Sequence, residues 1–427
     1  MGGSTFALKG DIVYCTEDAG LVCAADSFAV CEDGRCAGVF SRLPPQYAAL
    51  PVEDCSGCLV IPGMTDLHVH APQYAFRGTG MDLELLDWLN SRTFPEEARF
   101  ADLDYARESY RSFVGDLASG FTTRACIFAT LHPAATLELM RQLEQTGLRT
   151  YVGLVCMDRN APDSLRQPDA ASAARDVRAW LEGCSRFVRT RPAITPRFVP
   201  SCTDGLMEQL SLLQKEFKLP VQSHLSENPG EVALVRELNP RAGCYGDAYD
   251  MFGLFGGGYP AVMAHCVYSS DEEIALMKRN GVFVAHCPES NVNLSSGIAP
   301  IRRYLDEGLH VGLGTDVAAG SSLSMPRAVQ YAVQVSKLYW RLADSSCRPV
   351  SAVEAFFLAT LGGGAFFGRT GSLLPGYAFD ALVVDDRRIQ PRRELPPEVR
   401  LERMLYAADE RLIVRKYVEG MQITPSR

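Results

Sequence analysis

Residues 58–74 read CLVIPGMTDLHVHAPQY: an apolar run, two histidines one residue apart, then a proline stop. On a strand His68 and His70 point to the same side. The pair is therefore either half of a metal site or the polar rim of a buried strand. The rest of the chain has to decide. Between about 62 and 370, apolar runs recur, separated by helical patterns such as EEIALMKRNG and SLSMPRAVQYAVQVSKLYW. Eight runs can be counted: CLVIPGMTDLHVH, GFTTRACIF, TYVGLVCMD, AITPRFVPS, LPVQSHLSE, AVMAHCVY, VFVAHCPES and HVGLGTD. Strands alternating with helices predict right-handed βαβ units and a parallel sheet. Eight of them over roughly 300 residues predict a TIM-like (β/α)8 barrel, an α/β fold.

The two ends of the chain have a different texture. FALKGDIVYC, SFAVCEDGRCAGVF and CLVIPG at one end, and DALVVDD and RLIVRKYVEGMQI at the other, are short strands broken by turns. EDGR is a hairpin signal, and Gly420 marks a second turn. These pieces predict a small composite β-sandwich from 1–61 plus 371–427, with the barrel body over 62–370. DRRIQPRRELPPEVR, residues 386–400, reads as an exposed loop.

Over 427 residues, 47% apolar and 22% charged fractions are those of an ordinary globular protein. The net charge of −9 argues against a surface that tracks phosphates, so nucleic acid is not an expected partner. No run approaches 18 apolar residues, and no membrane span is expected. MGGSTFALKG lacks the features of a secretory leader, and Phe6 breaks the N-myristoylation pattern. A cytoplasmic protein with free thiols is the expectation for its 14 cysteines. Cys55 and Cys58 form a lone CxxC, and Cys31 and Cys36 flank EDGR. A structural zinc site needs four ligands, so both pairs read as small buried side chains.

The polar residues of the eight runs gather at their C-terminal ends: His68 and His70, Arg197, His224 and Glu227, His265, His286, and Asp316. Barrels of this kind build their active sites at that face, from several strand ends. His68, His70, His224 and Asp316 can together hold one metal ion with an open position. Such a set suits a hydrolytic Zn²⁺, although nitrogen and oxygen ligands also admit Fe²⁺. Glu227, three residues after His224, would reach over the metal as proton carrier. His265 would hydrogen-bond the water or a developing oxyanion.

PGMTDLHVH, QSHLSE, MAHC, the SN of PESN, GLGTD and the closing GSLLPGYAFDALVV resemble the amidohydrolase superfamily in order and spacing, over nearly the whole chain. The resemblance implies a barrel with one zinc per subunit, bound by His68, His70, His224 and Asp316. It also implies Glu227 as acid/base, His265 near the water, and a homodimer. No lysine follows a strand in a way that suggests a bridge between two metals, which favours the mononuclear, deaminase-like branch. Within that branch HAPQYAFRGTGMDLELLDWL, TFPEEARF, VGLVCMD, TPRF, SHLSEN and TDVAAG resemble the guanine deaminase family. By that resemblance Gln73 would bond the purine edge, Arg197 would hold the O6 carbonyl, and Phe198 would line the pocket. An arginine can only donate, so it rejects a base with an amine at that position. The implied reaction is attack of activated water on C2 of guanine. Glu227 would protonate N3, and Asp316 would take the second water proton and pass it, with Glu227, to the departing ammonia. Pro72, Cys266, Glu289 and Ala319 depart from the expected pattern, none of them at a ligand. The H-x-E…P-C-x-x-C signature of the cysteine-ligated deaminases does not occur.

Other residues read more plainly. Trp88 in LLDWL fits a helical apolar stripe, and stands as a candidate substrate contact as well as core. His132 reads as a loop histidine capping backbone, and His310 as belonging to the opposite, stability face. His286 reads either as orienting the site or as packing. Asp66 would orient the strand end, Asp158 belongs to a loop with a possible contact to Arg197, and Cys266 reads as a buried inert thiol. Two alternatives stand beside the deaminase reading. One is a related amidohydrolase acting on a pterin, a triazine or 8-oxoguanine. The other is a catalytically dead barrel used as a scaffold, which has no reason to retain every ligand.

Overall fold

The first strands are β1 (Phe6–Cys15), β2 (Leu21–Glu32), β3 (Arg35–Phe40) and β4 (Val52–Pro62) in this computed structural model. It describes residues 5–391 and 393–423. The first four residues of the stretch read for a leader, and 392 of the predicted loop, lie outside the described residues. Asp33 and Gly34 join β2 to β3 with φ of 50° and 80°. A two-residue turn of that hand matches the twist of its strands, as EDGR predicts.

The barrel strands follow: β5 (Met64–His70), β6 (Thr122–Phe128), β7 (Arg149–Gly153), β8 (Val155–Cys156), β9 (Thr190–Pro192), β10 (Thr195–Pro196), β11 (Val221–Leu225), β12 (Ala261–His265), β13 (Phe283–His286) and β14 (His310–Leu313). Each of the eight predicted runs contributes. β5, β6, β7 and β9 pair in parallel, as do β11 to β14, and β8 pairs with β10. Backbone bonds join the two four-stranded arcs at both seams. The Ile194 amide donates to the Pro220 carbonyl (2.9 Å) and the Gln222 amide to the Ile194 carbonyl (3.0 Å). On the other side the Asp316 amide donates to the His68 carbonyl (2.8 Å) and the His70 amide to the Val317 carbonyl (3.1 Å). β5 and β6 are buried throughout, which accounts for their continuous apolar runs.

Helices cover the outside. In Leu103–Ser119 the Asp102 side chain accepts from two amides of the first turn, while Ala106, Tyr110, Phe113 and Leu117 form the buried stripe. The predicted helices appear at Asp271–Asn280, capped by Ser270, and at Met325–Leu342, capped by Ser324. Among the described residues no helix is long and apolar enough to cross a membrane.

The chain returns through β15 (Ala381–Val384), β16 (Ile413–Val418) and β17 (Met421–Ile423). Glu419 and Gly420, again both left-handed, turn β16 into β17. The two termini build one seven-stranded sheet in the order β17-β16-β15-β4-β1-β2-β3. Cys31, Cys36, Cys55 and Cys58 are buried in its core. Residues 386–400 differ from the predicted loop. They hold a helical turn, Asp386–Ile389, and then the start of a helix, Pro397–Ala407. Proline at the first helical position is pre-set for a helix start. Arg400 is drawn inward by Asp386, at 2.6 Å.

Candidate active site

β5 slips against β6 between Asp66 and Val69, and such a bulge re-aims the side chains beside it. Asp66 fixes the turn-out, accepting from the amides of His68 (3.2 Å) and Thr315 (3.0 Å). It thereby ties the ends of β5 and β14 together. His68 and His70 face the same interior, their Nε2 atoms 3.1 Å apart. His224 arrives from β11 with Nδ1 2.6 Å from the Arg197 carbonyl. That nitrogen must carry the proton, so Nε2 presents a lone pair, 3.3 Å from His70 Nε2. Asp316 follows β14 and places Oδ1 3.2 Å from His68 Nε2 and 3.4 Å from His70 Nε2.

Four donor atoms from three separated stretches therefore converge. Burial, and then the neighbouring imidazoles, hold His70 and His224 well below the ordinary histidine range. Neutral rings whose lone pairs face one another at this spacing suit a shared cation. Three imidazoles and a carboxylate are the donor set of a divalent transition metal. Asp316 (φ 47°) and His265 (φ 75°) are both left-handed, a conformation costing about 1–3 kcal/mol each away from glycine. It is sustained at Asp316 by the bond to the His68 carbonyl and by the Gly320 amide, which donates back to the Asp316 carbonyl at 2.7 Å. A Cβ on Gly320 would meet the Thr315 carbonyl oxygen at 1.8 Å, so the final glycine of TDVAAG is a steric requirement.

Glu227 stands over this group. Its Oε2 lies 3.5 Å from His265 Nε2, which is 3.8 Å from Asp316 Oδ2. Asn291 accepts from His265 Nδ1 at 2.9 Å, and Ser296 donates to Glu227 Oε1 at 3.2 Å. Burial pushes the Glu227 carboxyl up to about 7. Burial also opposes ionisation of Asp316, but the His68 imidazole against it brings that carboxyl down to about 2. Two carboxyls of one pocket are thus pushed apart, one ionised and one able to carry a proton near neutrality.

The opposite wall is built by segment 71–98. Its helical turn Ala71–Phe76 carries Gln73, and the short helices Leu85–Trp88 and Phe94–Ala98 flank a π-helical turn, Leu89–Thr93. Leu85, Trp88, Leu89, Phe198, Leu294 and Ala319 give the pocket its apolar sides, and Gln73 and Arg197 its polar edge. Trp88 is both core and wall, its Nε1 donating to the Thr79 carbonyl at 3.2 Å. One buried group escaped the reading of the sequence. Glu97 accepts from Arg197 at 2.6 and 3.2 Å and from Gln73 Nε2 at 2.9 Å. Nothing in TFPEEARF singles out its second glutamate. Ser296 escaped as well, since a short polar residue in a loop carries no periodic signal, while Asn291 is legible only as part of the SN motif and not for its bond to His265.

Other expectations resolve differently. Asp158 does not support Arg197; it accepts from the Thr203 amide at 2.7 Å, at the start of the helix Asp204–Phe217. His286 is buried, which pushes it down to about 3, and its Nδ1 has no partner among the described residues. Its neighbour Cys287 instead groups with His265 and Asp316. His132 precedes the helix Pro133–Thr146, where its carbonyl, not its ring, accepts from Thr136. His310 stacks on Phe283 at 4.6 Å, away from the pocket. Cys266 is buried, with its thiol raised well above the usual range. Glu289 pairs with Arg327 at 2.8 Å.

A profile of the amidohydrolase family matches residues 59–420. The guanine deaminase of Mus musculus is 38% identical over 380 residues, covering 86% of this chain and 83% of that protein. The guanine deaminase of Escherichia coli (strain K12) is 35% identical over 379 residues, covering 86% and 84%. Among solved structures, the guanine deaminase of C. acetobutylicum, with guanine bound in its active site, superposes with a TM-score of 0.95. It is 44% identical and covers 99% of this chain and 100% of its own.

Proposed function

We infer what this protein does from one premise: the chain belongs to the amidohydrolase family. Its reaction is the hydrolytic deamination of guanine to xanthine and ammonia. One observation carries the choice of base. Glu227 shares a pocket with two fixed N–H donors, Gln73 and Arg197. A guanidinium donates and never accepts, so it suits the 6-oxo group of guanine and opposes the 6-amine of adenine.

His68, His70, His224 and Asp316 would hold the metal, which we assign as zinc, with Fe²⁺ as the alternative. When bound, such an ion acts as a Lewis acid and brings the pKa of a coordinated water toward about 7. Gln73 holds the purine edge and Arg197 the O6 carbonyl, with Phe198 and Trp88 closing the apolar sides. Glu227 takes one proton of the water and delivers it to N3 as the oxygen adds to C2, relieving the charge that develops on the ring. Asp316 takes the second proton of that water, and His265 hydrogen-bonds the oxygen as it adds. The proton on Asp316 moves through Glu227 to the amine, which leaves as ammonia.

The chemistry belongs to the barrel body 62–370, with the composite unit 1–61 plus 371–427 as its support. A homodimer acting in the cytoplasm, in purine breakdown or salvage, completes the proposal. A substrate panel tests it. Guanine is expected to turn over faster than a pterin, a triazine or 8-oxoguanine, by at least about 10²-fold in kcat/KM. Equal or better turnover of any of the three would move the assignment to that ring.

A further inference from the structure

Glu97 is buried and does not itself line the pocket. It nevertheless touches both side chains of the pocket's polar edge, Gln73 and Arg197. Its Oε2 accepts from Arg197 Nη1 at 2.6 Å, and its Oε1 accepts from Arg197 Nη2 at 3.2 Å and from Gln73 Nε2 at 2.9 Å. Phe94, one turn earlier in the same short helix, lies under the guanidinium, 5.4 Å from ring centre to Cζ. A carboxylate only accepts, so the Gln73 amide must turn its nitrogen toward Glu97. Its oxygen then accepts from the Ala318 amide at 3.3 Å. Gln73 keeps one N–H and one lone pair for the base, and Arg197 keeps the N–H groups that Glu97 does not occupy.

We propose that Glu97 is a positioning residue that sets selectivity for the 6-oxo purine, by locking the donor faces of Gln73 and Arg197 from behind. This rests on the reading that those two side chains grip the base. Charge and valence both support it. Glu97 is the anion that pairs with the buried guanidinium among the described residues, and a buried charge left without its partner is strongly unfavourable. Three N–H groups point at its two oxygens. A glutamine there would offer one oxygen and an NH2, so an Arg197 or Gln73 donor would face another donor. The Gln73 amide would then be free to flip.

Glu97→Gln and Glu97→Asp, compared with the wild type, test this. The measurements are kcat and KM for guanine, bound metal, and competitive inhibition constants for hypoxanthine, which has the 6-oxo group, and purine, which lacks it. Glu97→Gln is expected to raise KM for guanine and to narrow the hypoxanthine-over-purine preference, each by at least about 10-fold, with metal retained. Glu97→Asp keeps both oxygens on a shorter arm and should fall between the two. An unchanged preference in Glu97→Gln, or equal weakening of both inhibitors, overturns the proposal. Should Glu97→Gln fail to fold, Glu97→Asp decides, with a preference narrowed about threefold or more in support and an unchanged one against. The inhibition constants require no turnover, so this proposal can fail while the deaminase reading stands. A wild type that leaves guanine intact sinks the deaminase reading instead.

Discussion

At the seam between the terminal sheet and the barrel, Arg124 meets Asp380 at 2.6 Å and Glu419 at 3.3 Å. In the pocket, by contrast, imidazole nitrogens face one another at 3.1 and 3.3 Å. Both regions bury ionisable side chains. At the seam each arginine finds a carboxylate, and Arg400 with Asp386 repeats the pattern at 2.6 Å. In the pocket like groups converge, with lone pairs aimed at a common point. A shifted titration does not separate the two, since structural ion pairs also produce one. Lone pairs without donors do.

Substitutions can break this contrast, because the pocket should govern turnover and the seam stability. The largest effect is expected at Asp316→Ala, with turnover reduced beyond about 10⁴-fold and bound metal lost with it. Glu227→Gln should retain the metal and lower kcat by about 10²–10⁴-fold. Metal analysis beside steady-state kinetics checks both. Near-normal turnover in Glu227→Gln would remove it as proton carrier, and full metal occupancy in Asp316→Ala would remove it as ligand.

The smallest effect is expected at the seam, from Lys416. Its Nζ is buried and donates to the carbonyls of Ala118 (3.0 Å) and Gly120 (2.9 Å). Burial lowers it from 10.5 to about 7, against the pull of Asp380. Between those two values the unfolded chain holds a proton that the folded chain does not, so the contribution of Lys416 to stability rises with pH across that window. Below about 7 both states are charged and the full cost of burial applies. Urea unfolding of wild type and Lys416→Met at pH 7 and 9 should therefore show the wild type gaining on the variant, by at most about 1.4 kcal/mol per pH unit. Turnover should not change. Parallel stability profiles would mean that Lys416 stays charged in the fold.

The ease of reading these regions from the sequence follows from what fixes each residue. The metal ligands lie at the ends of apolar strands, so His68, His70, His224 and Asp316 mark themselves by where a run stops. Asp66, two residues before His68, marks itself in the same way. Glu97 does not, because it lies in a five-residue helix and meets an arginine 100 residues further along. That pairing exists only once the barrel has closed. The misread segment 386–400 has the same cause. Its prolines and charges suggest a loop, and Arg400 is drawn inward by Asp386 together with the distant Asp11 and the Gly57 carbonyl.

Turnover with and without metal tests the central claim most directly. The protein is incubated with guanine, and xanthine and ammonia are followed before chelation, after chelation, and after zinc is restored. The expected result is one ammonia per xanthine, loss of turnover on chelation, and recovery with zinc. Undiminished turnover by protein shown to be free of metal, or no xanthine from the metal-loaded protein, would contradict it.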